Sequence, residues 1–190
     1  MKPQIQYKLF QEQAESRALQ PDVRIVNHLV TDHQPWFDFL NTTVHWKTGF
    51  KSRQYATFGI SYNDKTGLKK NGAMPQWLEP LCQSVQQQFG FMPNNCLINS
   101  YPDGNHYISY HSDQQIEMQA QTGVAIISLG AVRQMSLRRI DNHSICFHYA
   151  LPPGSGLFMQ DALQSEWQHG VLKQAGCGHR ISLSFRCLMT

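Results

Sequence analysis

The stretch YHSDQQIE, residues 110–117, sets His111 and Asp113 two positions apart at the end of a run with the texture of a β-strand. On a strand, residues i and i+2 project to the same face, so an imidazole and a carboxylate at this spacing can converge on one metal ion. An H-x-D triplet is short and gains weight only with a third, distant ligand. His169, in EWQHGVL 56 residues beyond Asp113, is the best candidate, with His143 and His148 as competitors. Two histidines and one carboxylate on one face of octahedral Fe(II) leave three positions open for a co-substrate and dioxygen, as in non-haem oxygenases. His111 and Asp113 are thus the candidate metal pair, and the third ligand is to be found among His169, His143 and His148.

The segment HRISLSFRCL carries the second chemical signal. Alternation puts Arg180, Ser182, Ser184 and Arg186 on one face and Ile181, Leu183 and Phe185 on the other. An edge strand with its polar face in water has the same alternation, but two guanidinium groups flanked by hydroxyls beside an iron site suit a dicarboxylate better. Arginine pairs bidentately with carboxylates, and 2-oxoglutarate has one carboxylate to chelate iron and another to anchor. In NSYPDG, Asn99 and Tyr101 share a strand face and can offer an amide and a phenol to the same ligand.

These residues need a β-scaffold, and the chain reads as one. Beyond Pro93, eight short runs (CLINSY, HYISYHSD, GVAIISLG, VRQMSLRRI, SICFHYALP, GLFMQ, EWQHGVL and HRISLSFRCL) are separated by turn signals such as PDGN, the pattern of a β-sandwich or jelly roll. Upstream, VRIVNHLV (23–30) reads as a strand, and Thr31 or Asp32 can cap a helix through WFDFLNTTVHW. Residues 47–72 read as hairpins or long loops. Pro75 then opens a helix in which Trp77, Leu81, Val85 and Phe89 recur at a four-residue spacing and Gly90 ends it, a stripe suited to covering a sheet. Met159 and Trp167 sit in apolar strand contexts and are expected in the core.

The 190 residues, 41% hydrophobic and 15% charged, suit one domain, with residues 1–92 as an N-terminal extension and lid and 93–190 as the core. Neither a signal peptide nor a membrane span is evident, so a soluble cytoplasmic protein, a monomer with no membrane partner, is expected. Five widely spaced cysteines without a C-x-x-C pair fit reduced thiols. The net charge of +3 is uneven: Lys47, Lys51, Arg53, Lys65, Lys69 and Lys70 face only Asp64 within one segment, which makes a polyanion such as nucleic acid a plausible partner.

In their order, these residues resemble the AlkB-type Fe(II)/2-oxoglutarate-dependent dioxygenases. The family pattern N-x-Y-x-D-G, H-x-D, S-L-G-x-x-R, G-S-L-x-M, W-x-H, R-x-N-x-T-F-R is matched by Asn99 to Gly104, His111 to Asp113, Ser128 to Gly130 with Arg133, Gly154 to Met159, Trp167 to His169, and Arg180 to Arg186. The resemblance implies a mainly β fold with flanking helices: a double-stranded β-helix (jelly-roll) core with an N-terminal α/β nucleotide-recognition lid. It implies His111, Asp113 and His169 as Fe(II) ligands, and Asn99, Tyr101, Arg180, Ser182 and Arg186 holding 2-oxoglutarate. With O2 as oxidant, an N-methyl group on a base of DNA or RNA is hydroxylated and lost as formaldehyde, a repair reaction on a single-stranded or flipped-out base. The aromatic and basic segment is then a lid, with Trp46, Tyr55 and Tyr62 near the substrate.

Two positions depart from the family pattern. Ser182 stands where Asn is common, and Gln115 stands where many members carry an acid that reads the base. Gln115 can still meet a base edge as donor and acceptor. Two other readings use the same residues: an oxygenase acting on a protein side chain or small molecule, and a jelly-roll binding module with structural histidines.

Overall fold

The computed structural model describes residues 20–50, 52–60 and 72–189. Its strands are β1 (Val23–Val26), β2 (Lys47–Phe50), β3 (Arg53–Gly59), β4 (Asn95–Tyr101), β5 (Ile108–His111), β6 (Gly123–Gly130), β7 (Arg133–Arg139), β8 (Cys146–Leu151), β9 (Gly156–Gln160), β10 (Trp167–Val171) and β11 (Arg180–Arg186). Two helices, α1 (His33–Thr43) and α2 (Glu79–Phe89), lie between the N-terminal strands and β4. The eight runs expected after Pro93 are all strands.

They form two antiparallel sheets, a larger one in the order β1-β9-β6-β11-β4-β3-β2 and a smaller one in the order β5-β10-β7-β8. Alternation decides what each face meets. Ile181, Leu183 and Phe185 of β11, with Ile98 of β4 and Ile127 and Leu129 of β6, pack under Leu40 of α1 and Leu81 and Val85 of α2. On the other face of the large sheet, Val124, Ile126, Leu157 and Met159 meet Met135, Leu137, Trp167 and Val171 of the small one. Met159 and Trp167 are thus core residues, as their contexts predict.

β11 is a central strand between β4 and β6, with every residue buried. Its polar face therefore looks into the space between the sheets, and the solvent-facing edge strand is excluded. β1 pairs with β9 and the β2–β3 hairpin pairs with β4, so the N-terminal part extends the same sheet rather than standing apart.

Most local signals hold. Gly90 ends α2 with φ 85°, a left-handed cap that glycine adopts without strain. Asp32 is the N-terminal cap residue of α1, although its side chain makes no capping hydrogen bond. The first strand is shorter than VRIVNHLV suggests: it stops at Val26, and His28 turns the chain with φ 58°. In PDGN, a Cβ on Gly104 would lie 1.8 Å from the Gln174 carbonyl oxygen, so the turn needs glycine for its close approach to the 172–177 loop. Among the described residues no helix is long and apolar enough to cross a membrane.

Candidate active site

β5 ends at His111 and pairs antiparallel with β10, with His111 directly opposite His169. Their rings lie 4.4 Å apart, centroid to centroid. Asp113 follows just beyond the strand end, where the Ser112 hydroxyl donates to the Trp167 carbonyl at 3.0 Å and the Asp113 backbone N–H donates to Gln164 Oε1 at 2.9 Å. One ligand atom from each of His111, Asp113 and His169 falls within 4.8 Å of the others, and no other such group occurs among the described residues.

The protonation states suit a metal. His111 Nδ1 lies 2.9 Å from the Ser109 carbonyl, which can only accept, so Nδ1 is the donor of that bond and Nε2 is the ring nitrogen left to ligate. Burial pushes the Asp113 carboxyl up, but the Arg186 guanidinium, with His169 and His111, outweighs it and holds the group down at about 2. Asp113 Oδ2 accepts from Arg186 Nε at 3.0 Å and Nη2 at 2.7 Å, which orients the carboxylate. Burial, then the neighbouring His111 and Arg186, bring His169 down to about 3 against the opposing pull of Asp113, so its imidazole is neutral, the form that ligates. Its Nδ1 is buried with no hydrogen-bond partner among the described residues. Two imidazoles and one carboxylate converging on one point, with His111 and Asp113 at the wall of a cavity, form a donor set that fits Fe(II).

The expected co-substrate residues share one interior surface. In the β4–β11 ladder Tyr101 stands opposite Arg180, Asn99 opposite Ser182 and Asn95 opposite Arg186. Arg180 is fully buried; its Nε donates to Ser128 Oγ at 2.9 Å, and it lies 5.4 Å from the centroid of the Tyr101 ring. Burial lowers its pKa to about 10, opposed by Tyr101 and helped by Arg133, so it stays cationic at neutral pH. Its Nη1 and Nη2 have no hydrogen-bond partner among the described residues. A buried cation with two unused NH2 groups is costly unless an anion meets it, and a carboxylate has the matching geometry.

A cavity of about 400 Å³ opens at the metal-ligand end, lined by His111, Asp113 and Arg186 together with Arg53, Tyr55 and Gln114. Arg53 is a residue that the sequence reading counted only within the basic segment. Its Nε donates to Asn99 Oδ1 at 2.8 Å, which ties β3 to the polar face shared by β4 and β11. The signal for it lies in register alone, since Tyr55 of β3 stands opposite Asn99. Arg133, quoted only as part of a motif, is fully buried and donates to the carbonyls of Asp103, His106 and Leu172, stapling two loops beside the site.

Other expectations fall elsewhere. Trp46 packs against the helix-side core, as does Phe58, which alternation along β3 puts on the face opposite Tyr55 and whose ring meets Trp77 edge-on at 5.3 Å. Gln115 does not line the cavity: its amide donates to the Asp161 carbonyl, while Gln114 takes the lining position. Tyr62 lies outside the described residues. Of the competing histidines, His148 is exposed and bonded to Ser136, and His143 sits in the exposed turn between β7 and β8.

The model of the 2OG-Fe(II) oxygenase superfamily matches residues 3–186, and the chain belongs to that superfamily. Within it, the chain is similar to proteins of AlkB type. It is 28% identical over 124 residues to the alpha-ketoglutarate-dependent dioxygenase alkB homolog 3 of Rattus norvegicus, covering 59% of this chain and 42% of that one. It is 28% identical over 149 residues to the DNA oxidative demethylase ALKBH2 of Bos taurus, covering 72% of this chain and 53% of that one. The chain thus spans about half the length of these relatives. The structure of OsALKBH1 superposes with a TM-score of 0.64 at 14% identity over 88% of this chain and 98% of that one, which bears out the jelly-roll fold. Membership of the superfamily implies Fe(II) and 2-oxoglutarate.

Proposed function

We propose that this chain is an Fe(II)/2-oxoglutarate-dependent dioxygenase that removes N-alkyl groups, methyl above all, from nucleobases in DNA or RNA. The observation that carries the reading is the convergent His111–Asp113–His169 group, two of whose members line a cavity together with Arg186, next to a sheet face that also carries the buried Arg180. Similarity to an oxidative demethylase of DNA supports the substrate class.

In this reading His111, Asp113 and His169 hold iron, and Asn99, Tyr101, Arg180, Ser182 and Arg186 hold 2-oxoglutarate. When bound, the metal and co-substrate supply the oxidising power: O2 and 2-oxoglutarate become succinate and CO2 as one oxygen atom enters a C–H bond of the methyl group. The resulting N–CH2–OH group loses formaldehyde, and its hydroxyl proton ends on the ring nitrogen of a neutral base or is released to solvent from a cationic one. The chain's part is to hold and orient. Arg186 fixes the Asp113 carboxylate, Arg180 waits for the distal carboxylate of 2-oxoglutarate, and the cavity walls keep the reacting carbon close and water out. Tyr55 lines the same cavity and presents a ring on which a flipped-out base can stack. We infer a monomer in the reducing cytoplasm, a reading supported by five free cysteines.

The test is anaerobic loading with Fe(II) and 2-oxoglutarate, followed by air and a single-stranded oligonucleotide carrying one methylated base. The expected outcome is demethylation, read by mass spectrometry, in step with succinate. Succinate without demethylation would move the substrate to a protein side chain or small molecule, a reading favoured by the inward turn of Trp46 and Phe58, which leaves Tyr55 as the cavity-lining aromatic among the described residues.

A further inference from the structure

The loop that carries Asp113 is held from one side. Ser112 Oγ donates to the Trp167 carbonyl at 3.0 Å, and the Gln115 amide donates to the Asp161 carbonyl. Between these two, the Asp113 backbone N–H donates to Gln164 Oε1 at 2.9 Å. All three acceptors belong to residues 161–167, made up of a 3-10 turn (Asp161–Ser165), Glu166 and the first residue of β10. Two residues further on, β10 presents His169, so one short segment positions two members of the metal-ligand group. The Asp113 side chain is fixed separately: its Oδ2 accepts from Arg186, and its Oδ1 lies 3.9 Å from His111 Nε2.

Gln164 is the member of this set whose chemistry exceeds what loop packing needs. Its side chain is buried, and its Nε2 has no hydrogen-bond partner among the described residues. Burying an amide NH2 without an acceptor costs stability, and Ser112 and Gln115 already anchor the loop on both sides of Asp113. What the amide supplies is a neutral acceptor: its oxygen meets the Asp113 N–H without setting a second carboxylate against that of Asp113. We propose, resting on the reading that His111, Asp113 and His169 hold iron, that Gln164 is a positioning residue for the metal. By holding the Asp113 amide to the turn that leads into His169, it keeps these two ligands at a separation that one ion can bridge. A group that orients a metal ligand from behind sets affinity as well as geometry, so Gln164 acts on how tightly the site takes its ion.

The test uses the full chain and Co(II) alone, an ion whose visible absorption reports binding and ligand number, with urea unfolding measured in parallel. The wild type is expected to bind Co(II). Gln164→Leu should raise the Co(II) Kd by about ten- to hundredfold, the usual effect of removing a group that orients a metal ligand. Kd is read on the folded protein, so a residue that only stabilises the loop would shift the urea midpoint and leave Kd in place. Gln164→Met keeps the chain length without the amide and stands in if Gln164→Leu does not fold. Gln164→Glu restores an acceptor oxygen at the same reach and should bind Co(II) at least as tightly as the wild type. An unchanged Kd in Gln164→Leu, or in Gln164→Met where it stands in, overturns the proposal and leaves the iron reading standing. Binding as weak in Gln164→Glu as in Gln164→Leu does the same. A wild type that binds no Co(II) overturns both.

Discussion

At the scale of residues, the site is a set of buried charges that satisfy one another in part. Asp113 and Arg186, with side chains each 3% exposed, meet at 2.7 Å. Removing Arg186 leaves the Asp113 carboxylate desolvated without its guanidinium, which costs about 3–5 kcal/mol for a buried pair. Arg186→Leu is therefore expected to lower the stability of the metal-free protein by that amount in urea unfolding, and adding Asp113→Asn should recover part of the loss. An unchanged unfolding midpoint would show that the pair carries no such weight. The residues with chemically narrow roles were legible in the sequence: few side chains other than His111, Asp113, His169, Arg180 and Arg186 combine ligating or anion-pairing chemistry with strand spacing. Arg53 and Trp46 were not. Whether a residue of an aromatic and basic segment faces cavity or core is fixed by the pairing of β3 with β4, which no local pattern encodes.

At the scale of elements, β11 does two jobs at once. Its apolar face builds the helix-side core while its polar face carries the residues proposed to hold the co-substrate, so core packing sets the positions of Arg180 and Arg186. Leu183, fully buried between them, is the probe: Leu183→Ala should cost about 2–5 kcal/mol of stability in denaturant unfolding, as other buried leucines do. A cost below 1 kcal/mol would mean that this face is less tightly packed than its burial indicates. The helix α2 and the eight strands after Pro93 were readable because their apolar periods of 3.6 and 2 survive in the sequence, and Gly90 marks the stop. The placement of β11 between β6 and β4 was not, because its paired residues lie 50 or more positions away in the chain and pairing is set by the closure of the whole sheet.

At the scale of the molecule, the two sheets enclose polar groups that a purely structural core would exclude. Arg180 is the sharpest instance, a fully buried guanidinium whose terminal nitrogens await an anion. The measurement that tests the account most directly is anaerobic titration of 2-oxoglutarate into the Fe(II)-loaded protein, run beside Arg180→Met, with the unfolding free energy of each metal-free form measured in parallel. The account predicts one 2-oxoglutarate per iron-loaded chain and its loss in Arg180→Met. It also predicts that the variant is as stable as the wild type, or more so by about 1–3 kcal/mol, because a buried unsatisfied cation has been removed. Unchanged 2-oxoglutarate binding in the variant, or a large loss of stability on removing the arginine, would contradict it.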